Sequence, residues 1–165
     1  MSSITIGKIS TELDKSIPLS WQESYDNAGL LYGNKDVICT GIYVCFDISE
    51  SIVDKAIESN CNLIVSHHPL VFRAMKRFTG KDNVTTTLLK AITNNIALYS
   101  AHTNLDAANP GVNTILANKL GIRNIRPLCE DARTNEDGFF GIGGIGELEE
   151  AIDLKEYLLH IKKAL

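Results

Sequence analysis

Gly41-Ile-Tyr-Val-Cys-Phe46 and Cys61-Asn-Leu-Ile-Val65, with the segment from Ser49 to Ile57 between them, decide the fold. Both runs are almost continuously apolar, the pattern of strands covered on both faces. Between them Ile52, Val53, Ala56 and Ile57 recur at helical spacing, behind a start at Ser49 or Glu50. A strand, a helix and a strand within about 30 residues make a βαβ unit, and its crossover is expected to be right-handed.

Working outward, the unit repeats in outline. Leu88, Leu89 and Ile92 lie at helical spacing, and Ile96-Ala-Leu-Tyr-Ser100 reads as a third strand. Upstream, Ile6, Ile9, Leu13 and Ile17 form the stripe of a helix that Pro18 ends. Trp21 to Leu31 reads as a loop entering a short strand, punctuated by Gly29 and Gly33. Downstream, Gly111 to Leu120 reads as a helix capped by Gly121. Glu130 to Gly138 is polar and loop-like. Phe139-Phe-Gly-Ile-Gly-Gly-Ile-Gly146 lacks the Lys-Ser or Lys-Thr ending of a phosphate loop and reads as a Gly-rich strand. Leu154, Leu158, Ile161 and Leu165 form a last helical stripe, which either docks on the sheet or leads to a further strand. The expectation is a single α/β domain over residues 1–165, a βαβ-type sheet covered by helices.

Composition narrows the function classes. The net charge of −4 lacks the broad basic face of a nucleic-acid binder. Arg73, Lys76, Arg77 and Lys81 are close together, and they read as a solvated face rather than a phosphate grip. The four cysteines show no Cys-x-x-Cys pair, so a zinc ribbon or redox pair is not expected. Cys45 and Cys61 sit in apolar runs and read as buried structural thiols. Lys8, Glu12, Asp14 and Lys15 interrupt the start where a secretory signal would be apolar, and no run reaches transmembrane length. The expected location is the cytoplasm.

The chemistry lies where the strands end. Phe46 leads to Asp47, Val65 to Ser66-His-His-Pro69, and Ser100 through His102 to Asp106. In open α/β sheets ligands bind beyond the carboxyl ends of the strands, so these groups are expected to converge. Adjacent side chains on a strand point to opposite faces, and His67 and His68 can serve one site only where the strand has ended. Pro69, which holds His68 extended, suits such an end. Imidazoles with a carboxylate make a common divalent-metal set, and His67, His68 and Asp106 are the expected ligands. A non-metal acid–base site, or no special role, is the alternative. His102 can be a ligand, an orienting group, a base or a residue bonded within its own loop. Asp47 can orient a ligand or cap the following helix. His160 is expected to be exposed on the last helix.

These residues resemble a known family, the NIF-three-like dinuclear metal proteins, often labelled GTP cyclohydrolase 1 type 2 homologues. The resemblance runs through Trp21, Asp26-Asn-Ala-Gly-Leu30, Asp47, Leu63-Ile-Val-Ser-His-His-Pro-Leu70, Ala101-His-Thr-Asn-Leu-Asp106, Gly111-Val-Asn113 and Gly141-Ile-Gly-Gly-Ile-Gly-Glu-Leu148. It implies the N-terminal lobe of a two-lobed fold, with His67, His68 and Asp106 as ligands. It also implies two divalent ions per full-length subunit (zinc, iron, manganese or magnesium) and a homohexamer. The activity implied is that of a metal-dependent hydrolase of unidentified substrate, and the alternative is a non-catalytic metal-binding or regulatory assembly module. Two departures stand out. The family's second half supplies a further His and, four residues on, a Glu, whereas His160 is followed by Ala164. Gly144 stands where an Arg is common. The chain therefore reads as truncated, with the family's C-terminal half absent.

Overall fold

A four-stranded sheet organises the first part of the chain in a computed structural model that describes residues 3–129, 133 and 137–165. The elements are α1 (Ile6–Ser16), β1 (Gly29–Tyr32), β2 (Ile42–Cys45), α2 (Glu50–Glu58), β3 (Leu63–Ser66), α3 (Asn83–Thr93) and β4 (Ala97–Ser100). They are followed by α4 (Thr103–Asp106), α5 (Val112–Lys119), β5 (Arg123–Pro127), β6 (Gly144–Glu147) and α6 (Leu154–Ala164). The chain divides into two compact units, residues 1–104 and 105–165.

In the first unit the strand order is β1-β4-β3-β2. β2, β3 and β4 are parallel, and β1 pairs with β4 antiparallel. The two expected βαβ crossovers, through α2 and α3, are both present. Both helices end alike. Asn60 and Asn95 follow them with positive φ (54° and 56°), and the next amides return to the helix, Cys61 N to Ala56 O at 2.8 Å and Ile96 N to Ala91 O at 2.9 Å. Asparagine tolerates this left-handed turn, which ends the helix and starts the next strand.

Alternation along the strands divides the core. Ile64 and Leu98 pack with Val53 and Ala56 of α2 and with Leu88 and Ala91 of α3. Burying side chains of this size contributes roughly 1.5–3 kcal/mol each. The next residue, Tyr99, points the other way, and its hydroxyl donates to Asp14 of α1 at 2.9 Å. The sheet thus carries α2 and α3 on one face and α1 on the other. At the end of β1, Gly33 has φ +129°, and a Cβ there would lie 2.4 Å from that of Ala97. Only glycine lets the chain leave the strand there.

Three expectations need correction. β2 is not buried on both faces. It is the edge of the sheet, and Ile42 and Val44 are 45% and 74% exposed. An apolar run does not distinguish a central strand from an edge strand whose outer residues lie open. Cys45 and Cys61, read as buried, are half-buried free thiols, the former pushed up in pKa by desolvation and then by Asp47. The Gly-rich strand begins only at Gly144, with Phe139 and Phe140 buried ahead of it.

The second unit pairs β5 with β6 antiparallel. β5, Arg-Asn-Ile-Arg-Pro, has no apolar alternation, so the sequence does not announce it. The capping role expected of Gly121 holds, with φ +72° just past Leu120, the residue that follows α5. The polar segment expected from Glu130 to Gly138 lies largely outside the described residues. α6 forms as expected, but none of its residues is buried, and Leu154, Leu158 and Leu165 are exposed. His160 is exposed and stacks on Tyr157. Among the described residues no helix is long and apolar enough to cross a membrane.

Candidate metal centre

The last register position of the sheet runs Cys45, Ser66, Ser100, Gly29 across its four strands. Every residue in that row is small, and just past it the chain turns. The two serines make the turn. Ser66 Oγ donates to His68 O and Ser100 Oγ to His67 O, both at 2.8 Å. Both serines are buried, so their hydroxyls must find acceptors inside the protein. Those acceptors are the carbonyls of the two histidines, where the chain bends out of the strand. Their amides still pair back, His67 N to Cys45 O at 3.2 Å and His68 N to Phe46 O at 3.0 Å. Adjacent histidines can therefore face the same space.

His102, just past β4, joins them. One ring nitrogen from each of His67, His68 and His102 lies within 4.8 Å of the others. The three Nδ1 atoms are held alike. His67 Nδ1 meets the Ala101 carbonyl at 2.9 Å, His68 Nδ1 meets Asp47 Oδ1 at 2.7 Å, and His102 Nδ1 meets Asp26 Oδ1 at 2.7 Å. A carbonyl or carboxylate oxygen has no proton to give, so each Nδ1 carries the proton and donates it. In the neutral ring Nε2 is then the lone-pair nitrogen. This is the tautomer a metal-ligating histidine needs, with the orienting oxygen such ligands usually have. The donor set fits a divalent first-row metal, since neutral imidazole suits zinc and iron.

Aromatic rings pack around the cluster. Phe46 stacks on His67 at 5.1 Å and meets the edge of His68 at 4.4 Å. Phe72 stands 6.1 Å from His102.

Asp26 was not singled out in the sequence as a site residue. It lies three residues before β1, and β1 runs antiparallel, so its start reaches the edge where the other strands end. The Asp26 carboxyl also accepts from the Thr103 amide at 3.0 Å and from the Thr103 hydroxyl. Burial raises its pKa, but the hydrogen bonds from His102 and Thr103 and from the Asn27 and Thr103 amides outweigh this and hold it below the ordinary value. Asn104, fully buried, accepts from His102 N at 3.0 Å and donates to Ile17 O at 2.8 Å, which fixes the backbone under His102. Ser49, not Asp47, caps α2. Asp106 closes the helical turn α4 at the start of the second unit, where its carbonyl accepts from Asn113 Nδ2 at 2.8 Å.

Fold and site define an α/β protein with a histidine cluster able to hold a metal ion at the carboxyl edge of its sheet. The family model for Duf34/NIF3 (NGG1p interacting factor 3) matches residues 4–165, and the chain belongs to that family. A GTP cyclohydrolase 1 type 2 homolog of Clostridium acetobutylicum is 33% identical over 98% of this chain, which spans 60% of that relative's length. One from Staphylococcus epidermidis is 42% identical over 73% of this chain and 32% of its own. Among solved structures, a Staphylococcus aureus hypothetical protein superposes with a TM-score of 0.87 at 29% identity, over 99% of this chain and 65% of its own. Reduced HcgD from Methanocaldococcus jannaschii does so at 0.81 and 28% identity, over 99% and 61%.

Proposed function

We propose that this chain is the metal-holding part of a divalent-metal-dependent hydrolase. The observation that carries the reading is the set of three imidazoles, each with Nδ1–H tied to an oxygen and with Nε2 left as the donor. His67 and His68 are assigned as ligands. Asp106 is assigned as the carboxylate ligand from the sequence motif. His102 is either a third ligand or the group that moves a proton beside the metal. A divalent cation (zinc, iron, manganese or magnesium) supplies Lewis acidity that activates water toward a carbonyl or amidine-type carbon or a phosphoryl centre. Asp47 and Asp26 keep His68 and His102 in one tautomer, and Phe46 stacks on the His67 ring. Two ions per subunit and a homohexamer in the cytoplasm complete the proposal for the longer protein; light scattering and elemental analysis of that protein test both counts.

For the site itself, His67→Ala and His68→Ala should each lower bound metal, read by elemental analysis, by tenfold or more. Undiminished metal content would sink the assignment. Asp106→Asn is the separate test of the carboxylate. His102→Ala distinguishes its two roles: loss of metal marks a ligand, and retained metal with lost turnover marks a proton-transfer group.

A further inference from the structure

α2 and α3 cover part of the sheet because each belongs to a crossover between parallel strands. β1 is antiparallel to β4 and lies at the other edge, with no crossover helix of its own. On the face that carries α2 and α3, the helical layer therefore ends before β1. A loop, residues 71–81, takes its place. It is tied at both ends, by Asn27 Nδ2 donating to Val71 O at 2.6 Å and by Thr86 Oγ1 donating to Gly80 O at 3.2 Å. Arg73, Lys76, Arg77 and Lys81 are exposed, the solvated face expected of them.

The loop fills the gap incompletely, and a cavity of about 360 Å³ remains beside it. Its floor is Leu31 and Leu98 of the sheet, its wall is Leu88 and Ile92 of α3, and the loop contributes Val71 and Phe78. The clustered histidines do not line it. Packed interiors leave few voids larger than one water, and this space is far larger. Water gains little from a lining of leucine, isoleucine and valine, whereas an apolar group that displaces it is stabilised by the area removed from solvent.

Shape and the polar lining narrow the occupant. Asn27, just before β1, and Tyr32, its last residue, both line the cavity. The cavity thus follows the strand for roughly 15 Å, at about 3.3 Å per residue. Asn27 and Tyr32 are its polar residues, and both are uncharged. The Tyr32 hydroxyl has no hydrogen-bond partner among the described residues. A charged head group would lose hydration there with no counter-charge, whereas an uncharged donor or acceptor finds a partner.

We propose that this cavity binds a molecule with a medium-length alkyl chain and an uncharged hydrogen-bonding head, an aliphatic alcohol or amide in chemical class. The chain lies along β1 against Val71 and Phe78, and the head meets Asn27 or Tyr32 at an end of the cavity. The site is separate from the metal-capable cluster and stands without the metal-dependent reading.

The test uses octanol as probe and the chelator-dialysed full chain, with binding measured by calorimetry. Octanol should bind, and across butanol, hexanol and octanol the affinity should rise about fourfold per methylene. Octanoate should bind on the order of tenfold more weakly than octanol, because its charge enters an uncharged lining. Ala28, which also lines the cavity, is the place to block it: Ala28→Phe should abolish binding. Phe78→Ala, at a residue 51% exposed, removes the cover and should weaken binding severalfold. Circular dichroism checks the fold of both, and Phe78→Ala carries the test if Ala28→Phe does not fold. His67→Ala should bind octanol as the parent does. No octanol binding, a flat chain-length series, octanoate bound as tightly as octanol, or parental affinity in either folded cavity variant overturns the proposal. So does loss of octanol binding in His67→Ala, which would place the probe at the cluster. Metal content, measured in parallel on undialysed protein, keeps the two readings apart. A parent chain that holds no metal yet binds octanol defeats the metal reading and leaves the cavity standing.

Discussion

His68 with Asp47 and His102 with Asp26 are the same pair drawn twice. In each, Nδ1 donates to a carboxylate oxygen at 2.7 Å, and in each the histidine follows a parallel strand of the same sheet. They differ in their surroundings. The His68 and Asp47 side chains are 44% and 70% exposed, whereas those of His102 and Asp26 are 17% and 0% exposed. The Asp47 carboxylate holds His68, and that of Asp26 holds His102, both polar groups of Thr103 and the Asn27 amide. Equal distance is not equal energy. An exposed pair contributes about 0–1 kcal/mol, because water offers each partner nearly as good an interaction. A covered carboxylate cannot be removed without stranding its donors. One side of the cluster is therefore a fixed wall, built into the fold, and the other is an adjustable support.

The largest expected effect breaks the wall. Asp26→Ala strands His102 Nδ1–H, the Thr103 amide and the Thr103 hydroxyl. At about 1–3 kcal/mol for each buried donor left unpaired, stability should fall on the order of 3 kcal/mol, read by chemical denaturation. A loss below about 1 kcal/mol would mean that water replaces the carboxylate and that the two pairs are equivalent after all. The same group predicts a pH dependence. The folded pKa of Asp26 lies below its ordinary 3.8. Its contribution is thus complete above the unfolded value and is lost as pH falls through the folded one. Metal-free Asp26→Asn should accordingly lose less stability than the parent between about pH 5 and pH 3. Parallel acid limbs for the two would contradict the assignment.

A smaller effect should come from the serines beneath the histidines. Ser66→Ala and Ser100→Ala each free a carbonyl that now accepts at 2.8 Å. The backbone at His67 and His68 then relaxes toward strand geometry, in which adjacent side chains diverge. Metal affinity should weaken about tenfold, the usual size of an orienting effect, with a stability loss of only about 1 kcal/mol. Isothermal titration with zinc measures the first, and an unchanged affinity would show that Pro69 alone shapes the turn.

Much of this was legible in the residues, for identifiable reasons. Both crossovers were visible because helical and strand periods differ, and the edge where ligands gather follows from parallel strands ending together. His67, His68 and His102 could be assigned to that edge before any contact was known. Asp26 could not, because its place depends on β1 running antiparallel, a pairing that no local period encodes. The roles of Ser66 and Ser100 depend on register, which sets them side by side between β3 and β4. β2 looked central because its composition matches β3, and only the strand order shows that one edge and one set of its side chains remain open. β5 was missed because Arg-Asn-Ile-Arg-Pro shows no apolar alternation to mark it as a strand.

The smallest effect sharpens the other side of the comparison. Asp47→Ala removes an exposed carboxylate that holds one histidine, so stability should change by less than about 1 kcal/mol. The His68 ring keeps its contact with Phe46, at 4.4 Å, but loses the oxygen that fixes its tautomer. Metal affinity should therefore fall on the order of tenfold while the denaturation midpoint hardly moves. That separation is what an adjustable support means: the residue acts on the ligand and not on the fold. Asp47→Asn gives the finer reading. Its amide oxygen can still accept from Nδ1, and it should recover most of the affinity with no change in stability. If Asp47→Asn performs no better than Asp47→Ala, the negative charge itself is what Asp47 contributes, by strengthening the His68 donor, and geometry alone is not enough.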